Sequence, residues 1–427
     1  MRLLKLGEID IGEIRSKVIL DEALSKVKPI VEDVRKKGDS ALRYYTKKFD
    51  GVEIDNFRVS EDEVEQAFKT IKPEIIEALN EAYKNIREFH ERQLPEEWSY
   101  EKNGLKLGQL IRPLQRVGCY IPGGRASYPS TVLMATIPAR VAGVKEIACV
   151  SPPNKNGRVN DLVLVACKIV GVKEIYKVGG AQAIAALAYG TESIAKVQKI
   201  VGPGNIYVTA AKQLVSLEVA IDLPAGPSEV LIVAEEHANP EFIAFDLLAQ
   251  AEHDPNACCI LVTTSEKLAK EVYGRLLSYK IEANCFILIA ENLEDALNFT
   301  NEFAPEHLEL ILKNPTDFLE RVKNAGSVFI GEYSPVACGD YASGTNHILP
   351  TLGYAKTFSG LTVYDFLKFI SFQSLDKKAL EKLGKTIITL AEAEGLKMHA
   401  ESIRKRVNYP SLTQGASRFL HRTYHHR

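Results

Sequence analysis

Apolar residues recur at helical spacing through most of the first hundred positions. DEALSKVKPIVEDVRKKGDSALRYYTKKF and EDEVEQAFKTIKPEIIEALNEAYKNIREFHERQ both carry this pattern, with Asp50-Gly51 punctuating them. Asn103-Gly104, between SYEK and LKLGQLI, predicts a tight hairpin turn. From residue 117 short apolar runs alternate with helical segments: RVGCYIP, STVLMATIPARVAGV, EIACVSPP, NDLVLVACKIVGV, EIYKVGG, AQAIAALAYGT, KVQKIVGPG and NIYVTAAKQLV. This alternation predicts a parallel sheet with crossover helices. After a Pro/Gly-rich crossing, DLPAGPSE, the rhythm resumes, with EVLIVAEE, ACCILVTT, CFILIAE and SVFIGE as strands. LTVYDFLKFIS and LDKKALEKLGKTIITLAEAEG are expected to be helical, and past Val407 the periodicity fades.

The pattern implies two α/β domains with parallel-rich sheets, a helical N-terminal region and a helical C-terminal tail. The expected boundaries are an N-terminal segment at 1–20, a first domain from 21–119 and 230–360, and a second domain, 120–229, inserted in it. The tail spans 361–407, and 408–427 reads as a flexible, basic extension. The chain of 427 residues agrees with two or three domains at a prior of ~150 residues each.

Charge and cysteine content narrow the function classes. The 53 basic and 55 acidic residues leave a net charge of −2, which argues against gripping nucleic acid or an anionic membrane. Seven cysteines, an odd number without C-x-x-C, suit a reducing compartment better than a disulfide framework. The start, MRLLKLGEIDIGEIRSK, does not read as a signal peptide, and no run reaches the ~20 apolar residues of a membrane span. A soluble, cytoplasmic protein is expected.

Several segments carry residues suited to chemistry. VGPGN (201–205), VGGAQ (178–182) and YIPGGRAS (120–127) are glycine-rich turns between a predicted strand and a predicted helix, where backbone can approach a phosphate. None matches G-x-G-x-x-G, and each also reads as a tight βα turn. Gln250 and His253, three apart in LLAQAEHD, lie ~60° apart around a helix and can reach one ion, or can be ordinary polar residues. In EFAPEHLEL, Pro305 at a first helical position places Glu306 and His307 in the first turn, as an acid/base pair or as a helix-start cap. GDYASGTNH gathers Asp340, Ser343, Thr345, Asn346 and His347 in one loop. Glu394 and His399, five apart, share no helical face, so Gly395 is expected to break the helix. Cys258, Cys259 and Cys338 are expected in the core. Cys119, beside Tyr120, has no neighbouring base to make it a nucleophile.

In their joint order these segments closely resemble the histidinol dehydrogenase family, from residue 10 to residue 407. The carrying motifs are YIPGG, STVLM, VGGAQAIAALAYGT, VGPGN, DLPAGPSEVL, LLAQAEHDP, FAPEHLEL, CGDYASGTNH and AEAEGL–H. The resemblance implies two Rossmann-like domains and a C-terminal dimerisation tail that embraces the partner of a homodimer. It implies one zinc ion per subunit on Gln250, His253, Asp340 and His399. Nitrogen and oxygen donors suit zinc, although a glutamine ligand is uncommon. It also implies substrate contacts at Ser228, His307, His347 and Glu394 besides the metal ligands, and NAD contacts at Tyr120, Gln182 and Asn205. His399 and Glu394 are expected to be supplied across the dimer interface.

The implied reaction is the four-electron oxidation of L-histidinol to L-histidine through bound L-histidinal, the last step of histidine biosynthesis. Four electrons require two NAD. His307 is expected to take the hydroxyl proton, and Glu306 to activate the water that attacks the aldehyde. Other readings are a relative oxidising a different polar alcohol, a zinc hydrolase, and a non-catalytic nucleotide-binding protein. Retention of His347, Glu394 and His399 argues for an imidazole-bearing substrate.

Overall fold

A computed structural model describes residues 1–15, 20–123, 127–223 and 226–407. The expected extension at 408–427 lies outside the described residues, as do positions 124–126 of YIPGGRAS and 224–225 of DLPAGPSE. The chain opens with β1 (Arg2–Lys5) and the single-turn α1 (Ile11–Ile14), followed by α2 (Leu20–Lys37), α3 (Asp39–Asp50), α4 (Glu61–Thr70) and α5 (Pro73–Glu91). A hairpin, β2 (Trp98–Lys102) and β3 (Leu105–Pro113), precedes the first α/β run. That run is β4 (Arg116–Tyr120), α6 (Pro129–Val141), β5 (Glu146–Ser151), α7 (Asp161–Val170), β6 (Glu174–Lys177), α8 (Gly180–Tyr189), β7 (Lys199–Val201), α9 (Ile206–Val215) and β8 (Ala220–Ile221). The second run is β9 (Glu229–Ala234), α10 (Pro240–Ala251), β10 (Cys258–Thr263), α11 (Glu266–Leu276), β11 (Asn284–Ile289), α12 (Leu293–Phe303), β12 (His307–Ile311), α13 (Pro315–Leu319), β13 (Ser327–Ile330) and α14 (Val336–Tyr341). β14 (Leu367–Leu375), α15 (Lys377–Ala393) and α16 (Lys397–Arg404) follow.

The fold is α/β, with two parallel sheets. One has the order β6-β5-β4-β7-β8 and the other β1-β11-β10-β9-β12-β13. Strands β9, β10 and β12 are buried along their whole length. That explains why they read as continuous apolar runs: helices cover both faces of a parallel sheet. In β9 the faces alternate. Val230, Ile232 and Ala234 pack under α10 and α11, while Leu231 and Val233 pack under α12. The five-stranded sheet is sandwiched likewise, with α4–α7 on one face and α2, α3, α8 and α9 on the other.

The N-terminal region departs from the expected grouping with 230–360. Only β1 joins the six-stranded sheet, through parallel pairing with β11. Helices α2–α5 instead complete the core of the five-stranded sheet: Val27, Val31 and Val34 of α2 bury against Ala148, Val150 and Tyr176. An amphipathic helix shows which face it buries but not which sheet receives it.

The chain divides into two compact units, Met1–Leu94 with Pro113–Leu367, and Pro95–Arg112 with the chain from Lys368 on. The second unit contains a three-stranded sheet, β14-β3-β2. Its hairpin turns at Asn103 (φ 53°) and Gly104 (φ 76°), the two positive dihedrals that an Asn-Gly turn supplies. LTVYDFLKFIS, expected to be helical, is a short 3-10 turn at Val363–Phe366 followed by β14. Its Phe and Ile residues suit a strand equally well, and the strand's partner lies far away in sequence. α15 and α16 pack through Ile388, Ala391 and Ala400, with the expected break at Gly395 (φ 77°). Among the described residues no helix is long and apolar enough to cross a membrane.

Candidate active site

The amino ends of β9 and β12 lie side by side in the six-stranded sheet, with His307 in register with Val230. Glu306 and His307 are therefore not in a helix's first turn. Ala304 closes α12 in the left-handed region (φ 53°), Pro305 and Glu306 turn the chain, and His307 begins β12. A proline just beyond a left-handed helix end is a stop signal rather than a start.

One peptide segment grips both residues. The Glu229 N–H donates to Glu306 Oε2 at 2.7 Å, and the Glu229 carbonyl accepts from His307 Nδ1 at 3.0 Å. The same Glu306 oxygen stands 3.5 Å from His307 Nδ1. On the far side of the ring, His307 Nε2 has no hydrogen-bond partner among the described residues and faces Asp340 Oδ1 at 3.6 Å. Burial pushes the Glu306 carboxyl up to about 8, against the pull of His307. Burial works against a charged His307, but Glu306 and then Asp340 outweigh it and carry the imidazole up to about 9.

Asp340 sits near the end of α14, and the loop after it returns to place His347 against the same group. His347 Nδ1 donates to the Asp340 carbonyl at 2.8 Å. Its Nε2 is then left to accept from Thr131 Oγ1 at 3.3 Å. Burial holds His347 below the usual imidazole range, which favours its neutral form. Burial opposes the Asp340 charge, but His307, and more distantly His347 and His253, hold the carboxyl below the usual range. Asn346 latches the loop, donating to the Met134 carbonyl (2.8 Å), accepting from Ile348 N–H (2.9 Å) and reaching His90 Nε2 (3.3 Å).

Gln250 lies in the last turn of α10, 2% exposed, with Nε2 unpartnered among the described residues. His253 is not on the helix face with it; α10 ends at Ala251, and His253 is exposed in the following turn. Its N–H still bonds the Gln250 carbonyl at 3.3 Å, so the two stay close. Among the described residues no group of three or more His, Cys, Asp and Glu closes on a point by itself. The donor chemistry of Gln250, His253 and Asp340 nevertheless fits a zinc ion. The orphaned Gln250 amide, turned over, presents its oxygen instead. Glu394 and His399 belong to the second unit, where both are exposed on either side of Gly395.

The NAD candidates occupy the other sheet at its carboxyl end. Chain order reverses between β4 and β7, and open α/β sheets bind ligands beyond the strand ends at such a switch. Tyr120 ends β4, and its hydroxyl accepts from Gly180 N–H at 3.1 Å. Gln182 is 1% exposed with Oε1 unpartnered among the described residues. Asn205 caps α9, its Oδ1 accepting from Tyr207 and Val208 N–H at 3.0 and 3.1 Å. Gly202 (φ 118°) crosses so close that an added Cβ would lie 2.2 Å from the Tyr120 carbonyl oxygen. The orphaned Gln182 amide at this end of the sheet is a polar group suited to a dinucleotide, in a setting without the G-x-G-x-x-G pattern.

Ser228, just ahead of β9, lies next to Glu229, which sequence reasoning missed. So did it miss Thr131, inside the STVLM motif, and His90, fully buried behind Asn346. The position of Glu229 immediately after Ser228 was the available signal. Cys119 is fully buried, and its thiol is pushed up by its Cys149 neighbour and by burial, which makes it a poor nucleophile. Cys258 and Cys259 are buried, whereas Cys338, expected in the core, is exposed on α14.

Comparison with known proteins assigns the chain to a family. The family profile described as histidinol dehydrogenase matches residues 14–407. The histidinol dehydrogenase of Methanocaldococcus jannaschii is 55% identical over 406 residues, covering 92% of this chain and 94% of its own. That of Archaeoglobus fulgidus is 52% identical, covering 93% and 99%. The crystal structure of histidinol dehydrogenase from Elizabethkingia anophelis superposes with a TM-score of 0.89 at 40% identity, covering 96% of this chain and 98% of that one.

Proposed function

The chain belongs to the histidinol dehydrogenase family, NAD-dependent oxidoreductases of histidine biosynthesis, and on that premise we propose the division of labour in its site. The substrate is L-histidinol, oxidised through bound L-histidinal to L-histidine. The observation that carries this reading is the His307 imidazole, set between the carboxyl groups of Glu306 and Asp340 and fixed by the Glu229 carbonyl.

Gln250, His253 and Asp340, with His399 of the partner subunit, would hold one zinc ion, and Tyr120, Gln182 and Asn205 would hold NAD. When bound, zinc supplies a Lewis-acidic anchor for the substrate's nitrogens and NAD accepts hydride. The remaining chemistry belongs to the chain. His307 is anchored at Nδ1, so its free Nε2 is the atom that takes the substrate hydroxyl proton as the first hydride leaves. Glu306, in its carboxylate form, takes a proton from the water that attacks the aldehyde. His307 acts again as the hydrate loses its second hydride. Ser228 and His347, with Glu394 of the partner subunit, orient the polar substrate, and burial of the site keeps the aldehyde from escaping. The enzyme works as a cytoplasmic homodimer.

The test is stoichiometry. Zinc-loaded protein with L-histidinol and NAD should yield two NADH per substrate consumed. One NADH, with aldehyde released to solution, would overturn the single-site sequence.

A further inference from the structure

We propose that Arg15 is a positioning residue for this reaction: acting through Glu229, its guanidinium sets where Glu306 and His307 stand. The inference rests on the reading of Glu306 and His307 as catalytic residues. Arg15 follows the single turn of α1, whose Ile14 is buried in the core beneath β9 and β12. From there its side chain runs inward. Nε donates to Glu229 Oε1 at 2.8 Å and Nη2 to Oε2 at 3.0 Å, a two-point grip that fits the planar fork of arginine and not lysine. The same Nη2 donates to the Phe303 carbonyl at 2.6 Å and approaches that of Ala304 at 3.5 Å. These are terminal carbonyls of α12, which have no partner within the helix and attract a cation. The guanidinium carbon also lies 4.0 Å from the centre of the Phe303 ring.

Arg15 thus fastens both chain segments that carry the dyad. Through Phe303 and Ala304 it holds the corner leading into Glu306 and His307. Through Glu229 it holds the residue whose backbone N–H and carbonyl bond Glu306 and His307. Backbone strain collects around the pair. Among the described residues, the non-glycine positions with positive φ are the hairpin's Asn103, Ala304 (53°) and Leu352 (55°). Ala304 lies under Arg15, and Leu352 N–H donates to Glu229 Oε1 at 3.1 Å. Such strain persists only where neighbours over-determine it. Arg15 touches neither substrate nor cofactor in this reading; it acts through another side chain. Nothing in the sequence around Arg15 marks it as part of a site.

The experiment uses the zinc-loaded full-length enzyme with Arg15→Gln, Arg15→Lys and Arg15→Ala, and His307→Asn beside them. Arg15→Gln should lower kcat about tenfold to a hundredfold, the range for a small misplacement of reacting groups, with KM for histidinol and the NAD dissociation constant little moved. Arg15→Lys should recover part of kcat, and added guanidinium should restore part of the activity of Arg15→Ala. Melting temperatures report whether each variant folds. If Arg15→Gln keeps full kcat while His307→Asn is inactive, the positioning role is wrong. The same holds if the loss tracks melting alone and guanidinium restores nothing. An active His307→Asn would instead overturn the catalytic reading beneath it.

Discussion

Glu306 Oε2 stands 3.5 Å from His307 Nδ1, although consecutive residues of a strand point to opposite faces. They meet because only His307 belongs to β12, while Glu306 still lies in the turn after Pro305. In the proposed mechanism the pair divides two tasks between two adjacent groups, so the half-reactions should separate on mutation. Glu306→Gln keeps the size and removes the base. It should slow histidinal oxidation by about a hundredfold or more and histidinol oxidation much less. Equal losses in both half-reactions, followed by NADH appearance, would sink the division.

The pH dependence follows from the same residue. Burial raises the Glu306 carboxyl to about 8, and water activation needs the ionised form. Histidinal oxidation should therefore rise toward alkaline pH and fall as pH drops through about 8. In Glu306→Gln the part of that limb set by Glu306 should vanish, leaving a limb set by His307, whose imidazole falls from about 9 once the Glu306 charge beside it is gone. A limb unchanged in the variant assigns the titration to another group.

The proposed sharing of His399 across the dimer has a complementation signature. His399→Ala and His307→Asn homodimers should each be inactive, and His399→Ala should bind zinc more weakly in a chelator competition. After subunit exchange, a hybrid has one site with its own His307 and an intact His399 from the partner. Activity should reappear in the mixture. Failure of exchanged hybrids to regain activity places His399 in its own subunit's site or outside the chemistry.

Gly202→Ala should weaken cofactor binding together with stability. The new Cβ would lie 2.2 Å from the Tyr120 carbonyl oxygen, at a φ of 118° that side chains avoid. The cost should be about 1–3 kcal/mol of stability, with weaker NAD binding by calorimetry and an unchanged zinc content. NAD affinity equal to that of the parent would show that this crossing is not part of the cofactor cradle.

A buried acid pair behind the site should set part of the stability profile. Glu309 on β12 is 2% exposed, accepts from Val336 N–H at 2.9 Å and faces Asp246 of α10. Burial, and then Asp246, push its carboxyl up to about 8. A folded-state value above the unfolded one contributes stability at low pH that is lost as pH rises through about 8. Glu309→Gln keeps the bond to Val336 and removes the titration. Its melting temperature should gain on the parent's from mildly acidic to mildly alkaline pH. Parallel melting profiles would exclude Glu309 as the group responsible.

The sequence made the parallel sheets, the Asn103-Gly104 hairpin and the Gly395 break legible, because each has a local cause: continuous apolar runs, positive dihedrals, a glycine at a helix end. The residues of the site were legible only as motifs, and their local settings were not. A proline before Glu306 and His307 reads as a helix start from one side and a helix stop from the other; the left-handed Ala304 decides it. Arg15, Glu229 and Thr131 could not be read as partners of the site, since each acts across hundreds of positions or on another element. The sheet that receives α2–α5 was hidden for the same reason: an apolar stripe does not name its counterpart.

The two sheets serve the site from opposite ends. The five-stranded sheet offers Tyr120 and the Gly202 turn at its carboxyl end, and the six-stranded sheet offers Glu229 and His307 at its amino end. In the proposed reading, binding of cofactor and chemistry on substrate therefore hang on separate scaffolds with no strand in common. Substitutions buried within one sheet should therefore combine additively with substitutions within the other, whereas those at the two facing ends should couple, because hydride must pass directly between the ligands they would hold.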